Sequence, residues 1–358
     1  MTIQHNPGKQ ASGAPACEDM SYDIILIDAN SIGYAAMYQP NLARLAHDGE
    51  STAALHGLPA SVFKLMKRFP EAVPVILWDG KARWRYDTYP DYKSDRGSTP
   101  DKIAIREAYK RQAPLLRQFF FDLGLPQVGH PDTEADDLAG LIARALVREH
   151  DDLHVLLSTT DSDWVQALHA RIHWFNTRDE SITDLARLAS EEFKDGPFDT
   201  PEQYLAAKCM AGDTSDTIDG VHGIGLKTGA KFLREHGSFE DLWAKADAGE
   251  AFKGAKLQSV ITHDARALYA RNRSIMDWTK APIPGDLGLA CPAPDLASAI
   301  EMTERFGLKR VRESLATIVT DRTLWQPLLW RIDALLSHAH LEDLEETSPT
   351  PTSSRPRF

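Results

Sequence analysis

Cysteine is scarce in this chain of 358 residues: Cys17, Cys209 and Cys291 are odd in number and lie far apart. Such spacing offers neither a disulfide framework nor a thiolate metal cage, and it implies a reducing, cytoplasmic compartment. Long apolar runs are missing too. No stretch reaches the ~20 residues that a membrane-spanning helix requires, so no membrane association is expected. Residues 1–20 hold Gly, Pro, Ser and Gln without an apolar centre and do not read as a secretory signal. Nor is there a surplus of positive charge: 40 Lys and Arg stand against 52 Asp and Glu, a formal net charge of −12. As an average this argues against a nucleic-acid partner, yet phosphate binding needs only a local basic face.

What is present is ordinary globular composition, 42% hydrophobic and 26% charged. The length suits one large domain with an annex, or two domains. Between Lys81 and Arg111 nine bases face five acids, a local charge of +4. That stretch is either a solvated helix surface or a phosphate track. Short apolar runs at Asp23–Asp28, Val73–Trp78, Leu153–Ser158 and Arg171–Phe175 read as buried strands. Helical patterns near 59–69, 102–123 and 137–149 separate them. Strands alternating with helices predict an α/β fold with a mostly parallel central sheet and flanking helices. From about 200 onward the segments are helical, with helices expected near 255–280 and 297–338 and no convincing strand. The expected layout is a disordered start (1–20), an α/β core (21–200), a helical subdomain (201–340) and a disordered tail (341–358).

The positions of the acids are the informative feature. The first strand ends in Asp28, the second runs into Asp79, and the third runs into Asp161 and Asp163. In an open parallel sheet the carboxyl ends of the strands share one edge, where sites form. Glu134, Asp136 and Asp137 open an apolar helix, and Asp213 and Asp216 follow another. Any single one of these is explained by turn chemistry, helix capping or the helix dipole. Together they would repel one another unless a counter-charge were present. Hard divalent cations bound through oxygen are the usual remedy, and two of them are a known device for displacement at phosphorus.

In their order along the chain these pieces resemble the 5′-nuclease superfamily: bacteriophage 5′-exonucleases, the 5′-nuclease domain of bacterial DNA polymerase I, and flap endonucleases. The matching segments are LIDANS (26–31), LWDGKARWRYDTYPDYKSDR (77–96), TEADDLAG (133–140), STTDSDW (158–164) and MAGDTSDTIDGVHGIGLKTGAKFL (210–233). They span roughly residues 23–235. The resemblance implies a PIN-like nuclease core and a helical arch near 92–123. It implies a structure-specific 5′-3′ exonuclease or flap endonuclease that hydrolyses DNA by a two-metal mechanism, in phage or bacterial replication and primer removal. It also implies that Asp28, Asp79, Glu134, Asp136, Asp137, Asp161, Asp163, Asp213 and Asp216 bind two or more Mg²⁺ ions, with Mn²⁺ able to substitute. Lys93 and Arg96 would offset charge on the scissile phosphate, and Tyr92 would stack on a base. Gly223, Gly225, Lys227 and Thr228 resemble the family's helix-hairpin-helix, where a K⁺ ion also sits in relatives. Glycines there let backbone N–H groups approach a phosphate at a helix start.

The implied partner is duplex DNA with 5′ ends, flaps or nicks, or an RNA–DNA hybrid, bound by a monomer. One departure is Ala35, where relatives commonly carry an arginine; it is expected to weaken one DNA contact without removing activity, since every metal-site acid is present. With no polymerase-sized extension after residue 340, a free-standing nuclease is expected. The alternatives are a non-catalytic DNA-binding homologue, whose signature of missing acids is absent, and a PIN-type ribonuclease, which usually lacks the glycine hairpin. A haloacid-dehalogenase-type phosphatase would need an Asp two residues after Asp28, where Asn30 stands.

Overall fold

Runs of Ile, Leu and Val that are buried on both faces must be covered on two sides, as parallel strands between helices are. The computed structural model describes residues 20–95, 99–285, 287–317 and 325–337. The expected disordered ends lie outside the described residues, save Met20, and so does Arg96. The strands are β1 (Ile24–Asp28), β2 (Ala46–His47), β3 (Glu50–Ser51), β4 (Val73–Trp78), β5 (Gln127–Gly129), β6 (Val155–Thr159), β7 (Ile172–Asn176) and β8 (Ser181–Thr183). Among them run α1 (Ala29–Tyr38), α2 (Ala53–Arg68), α3 (Arg83–Thr88), α4 (Pro100–Asp122) and α5 (Ala135–Glu149). After β8 come α6 (Leu185–Leu188), α7 (Pro201–Ala211), α8 (Leu226–His236), α9 (Phe239–Asp247), α10 (Ala255–Val260) and α11 (His263–Met276). Last are α12 (Leu296–Arg305), α13 (Lys309–Leu315) and α14 (Gln326–Ser337).

Six strands form one sheet in the order β5-β4-β1-β6-β7-β8, parallel except for β8, with β2 and β3 a separate antiparallel pair. From β1 the chain first builds outward through β4 and β5, then returns to build β6, β7 and β8 on the other side. The reversal of strand order about β1 opens a crevice at the carboxyl ends of β4, β1 and β6. Register places the acids there: Asp28 lies opposite Leu77, and Ile27 opposite Ser158, so Asp79 and Asp161 fall just past the ends of their strands. Helices α1, α2 and α4 pack on one another, while α5 lies across β1, β4, β6 and β7.

Three differences from the sequence expectation have local causes. Helix α2 begins at Ala53, and Pro59 stands inside it instead of opening it. Helix α1 follows β1 with no intervening turn, because Asp28 both ends the strand and caps the helix. Strands β5 and β8 are three-residue edges, too short to show a period. After β8 no strand occurs among the described residues. There α7 packs on α8 and α11, and α8 on α9.

Candidate active site

Each acid at the crevice serves its own local structure. Asp28 accepts from the Ser31 N–H at 2.8 Å and, through its other oxygen, from the Thr159 hydroxyl of β6 at 2.8 Å. Asp79 accepts from Asn30 Nδ2 at 2.9 Å and from the Ala135 N–H at 2.8 Å, so it satisfies an open donor at the start of α5. Asp136 sits in the first turn of α5 and accepts from the Trp164 indole at 2.6 Å. Asp161 caps the 3-10 turn Ser162–Ala167, accepting from the Asp163 N–H at 2.9 Å. The turn and helix-start chemistry expected of each acid taken singly is therefore present in these residues.

Charge divides the acids into two groups. In the first, Asp28 is pushed up to about 7 by burial and then by Asp79 and Asp161. Asp136 is held well above the carboxylate range by burial and by Asp161, Asp28 and Asp79. Asp79 reaches solvent at the crevice mouth, but the enclosing protein and Glu134 raise it as well. These acids face one another with too little positive charge between them.

The second group is paired with bases. Glu134 accepts from Lys93 Nζ at 2.5 Å, Arg85 at 3.0 Å and the Tyr92 hydroxyl at 2.9 Å. Burial opposes its charge, but Lys93 and Arg85 outweigh burial and bring it below the usual range. Lys93 Nζ also lies 3.7 Å from Asp216. Lys208 pairs with Asp163 and stands 3.1 Å from Asp213. For Asp213 burial is again outweighed, by Lys208 and Ser215, and its carboxyl falls to about 2.

Two expected roles change. Asp137, implied as a metal ligand, is fully buried, and Arg85 takes both its oxygens at 2.7 and 2.6 Å. A carboxylate so occupied buttresses the base of α5. Tyr92, implied as a base-stacking residue, is only 3% exposed, with its hydroxyl on Glu134. Its ring is packed beneath Lys93 and Arg85 and has no open face of useful size for a base.

Arg85 and Lys208 went unrecognised in the sequence. Arg85 was one base among nine in a stretch read only for its summed charge. Lys208 carried a usable signal: a lone lysine in the apolar run YLAAKCMA enters the interior, where a buried ammonium requires an anion. Asn30, which ties Asp79 to Tyr109, had no distinguishing pattern.

The glycine segment lies in the turn before α8. Gly223 takes a positive φ of 77°, and Gly225 caps α8 in an extended conformation. A Cβ at either would meet nothing within 4 Å. Lys227 is exposed in the first turn, and the Thr228 N–H donates to the Gly225 carbonyl at 2.9 Å.

Residues 23–195 match the family model "5'-3' exonuclease, N-terminal resolvase-like domain", and residues 199–280 match "5'-3' exonuclease, C-terminal SAM fold". The chain belongs to the 5′-3′ exonuclease family. It is 28% identical over 307 residues to DNA polymerase I of Streptococcus pneumoniae, covering 82% of this chain and 32% of that protein. To DNA polymerase I of Mycobacterium bovis it is 28% identical over 271 residues, 75% of this chain and 28% of the relative. The chain thus spans about a third of the length of these curated relatives. Among solved structures, T5 5′-exonuclease with bound zinc aligns with a TM-score of 0.57 at 21% identity, over 83% of this chain and 98% of the other. Flap endonuclease-1 from Methanococcus jannaschii aligns with a TM-score of 0.51 at 13% identity, over 89% and 94%. At these identities the likeness concerns the fold.

The donor set of the crevice fits hard divalent cations, since every candidate atom is an anionic oxygen and the first group of acids lacks counter-charge. Among the described residues no three carboxylates are drawn together closely enough to hold an ion as they stand. In this family member, then, lysine ammonium groups lie where part of the acids' charge is to be neutralised.

Proposed function

We propose that this chain is a magnesium-dependent, structure-specific 5′-nuclease that hydrolyses phosphodiesters in DNA carrying 5′ ends, flaps or nicks. The observation that carries the reading is the delivery of Asp28, Asp79, Asp136 and Asp161 to one crevice by three adjacent strands and the start of α5, where burial and neighbouring acids push the carboxyls of Asp28, Asp79 and Asp136 above the usual range. Asp28, Asp79, Glu134, Asp136, Asp161, Asp163, Asp213 and Asp216 would hold two or more ions, directly or through water. When bound, Mg²⁺, with Mn²⁺ able to substitute, supplies charge neutralisation at the phosphate and an activated water. Asp137 and Tyr92 position Glu134 through Arg85 and a direct hydrogen bond.

Lys93 is then the residue that meets the scissile phosphate; Arg96, expected to share that role, lies outside the described residues. The core is read as PIN-like, with α4 as one limb of an arch over the crevice. The segment Gly223–Thr228 is read as a helix-hairpin-helix that holds duplex phosphates and a K⁺ ion. The protein acts as a monomer, and an RNA–DNA hybrid is a further substrate. The test is cleavage of end-labelled flap, nicked and blunt duplexes, with magnesium or with chelator. Short products from the 5′ end, only with magnesium, are the expected result; full cutting in chelator overturns the reading.

A further inference from the structure

Asp213 and Asp216 sit on a loop that leaves α7 and returns at Ile218–Gly220. Its base is drawn tight by paired backbone bonds between Asp213 and Ile218, both 2.8 Å. Gly212 and Gly220 also meet there so closely that a Cβ on Gly220 would fall 1.9 Å from the Ala211 carbonyl oxygen. One side chain from a distant helix spans that base. Asn272, on the last turns of α11, is fully buried and donates through Nδ2 to the Cys209 carbonyl at 2.7 Å and the Asp219 carbonyl at 2.8 Å. Its Oδ1 accepts twice from the Arg271 guanidinium, at 2.8 and 3.1 Å. Both donors and the acceptor are used, so the amide has one orientation and no spare capacity.

Arg271 extends the span. Its guanidinium donates to the Asp219 carbonyl at 3.2 Å and lies 4.4 Å from the Tyr89 ring centre. The Tyr89 carbonyl accepts from Tyr92, and the Lys93 N–H reaches the Asp216 carbonyl at 2.8 Å. The loop with Asp213 and Asp216 and the segment with Lys93 are thus fastened to each other and to one dipeptide.

We infer that Arg271 and Asn272 are positioning residues that hold the loop of Asp213 and Asp216 in place, so that its two carboxylates are kept where a divalent cation would be bound. The inference rests on the proposed metal role of those two acids. Groups that orient metal ligands typically change metal affinity by about 10–100-fold when removed.

The experiment compares the full chain with Asn272→Ala, Arg271→Gln and Asp213→Asn. Binding of Mn²⁺ alone is measured by calorimetry, and amide exchange of residues 212–220 by mass spectrometry in chelator. Asn272→Ala should weaken Mn²⁺ binding about 10-fold or more, speed exchange of the loop, and raise the Mg²⁺ concentration for half-maximal cleavage, with the rate recovered at high Mg²⁺. Arg271→Gln, at a half-buried site that tolerates change, should shift all three in the same direction by less. Should Asn272→Ala not fold, Arg271→Gln alone decides. Unchanged exchange and Mn²⁺ affinity in a folded variant overturns the inference. Normal Mn²⁺ binding and cleavage by Asp213→Asn would instead overturn the metal reading beneath it.

Discussion

Lys93 holds a left-handed backbone, φ 57°, which for a residue with a side chain is a strained state that surrounding contacts must enforce. Its N–H bond to the Asp216 carbonyl does so, and its ammonium is thereby directed between Glu134 and Asp216. Lys93→Ala should lower the single-turnover rate at saturating DNA by about a hundred- to a thousandfold, or ~3–4 kcal/mol, as for loss of one preorganised contact to a developing charge. A normal saturated rate with weakened binding would make Lys93 a tether. Asp136 makes the opposite kind of prediction, since burial and four neighbouring acids oppose its charge. Asp136→Asn keeps an oxygen for the Trp164 indole and removes one charge from the repulsion. In chelator this variant should melt higher by roughly 2–4 °C, the equivalent of ~1 kcal/mol in a domain of this size. It should lose both cleavage and the stabilisation that Mg²⁺ gives the parent. A lower melting temperature in chelator would show that the acids do not strain the metal-free fold.

At the level of elements, Arg85 ties three of them together: α3, which carries it, α5 through Asp137 and Glu134, and α11 through the Ile275 carbonyl at 2.7 Å. Burial works against its charge, but Asp137 and Glu134 more than offset this. Arg85→Met leaves the buried Asp137 carboxylate without its partner, while Glu134 keeps Lys93 and Tyr92, and should cost about 3–5 kcal/mol in urea unfolding. Combining it with Asp137→Leu removes both sides of the pair and should restore much of that loss, because the interior no longer holds an unpaired charge. Equal instability of the single and double variants would show that the pair is not what joins the elements. This tie also marks the limit of what the sequence could tell. Strands β1, β4 and β6 were legible because parallel strands buried on both faces read as apolar runs, and the acids after them were legible as an edge. The partners of those acids were not. Arg85 lies 52 residues from Asp137, and Lys208 lies 45 from Asp163; no local period connects them. The bond between the Tyr92 hydroxyl and Glu134 was illegible for the same reason, since a tyrosine in a charged loop gives no sign of a partner 42 residues away.

For the whole molecule the proposed function raises the question of how a chain with a net charge of −12 would hold a polyanion. The crevice is acidic, so the attraction must come from elsewhere, and the turn before α8 is the place where backbone donors and an exposed base meet. Helix α8 packs closely on α7, where the Gly229 backbone rests on Ala207, and α7 leads into the loop of Asp213. A duplex held at that turn is therefore in fixed relation to the crevice. Gly225 provides a clean test. Its backbone is extended, which any residue adopts, and a Cβ there meets nothing within 4 Å, so Gly225→Val should fold as the parent does. The added side chain obstructs only what approaches from outside. Affinity for a long duplex should fall while the rate at saturating DNA stays near that of the parent, because phosphate contacts set position and do not speed bond cleavage. Lys227→Ala should make the plot of log affinity against log salt shallower by about one unit, the loss of a single phosphate contact. The same two variants, assayed on a duplex too short to reach the turn, should behave as the parent. An equal loss on long and short duplexes would put this segment at the site of cutting, and the anchoring role of the helical half would fall with it.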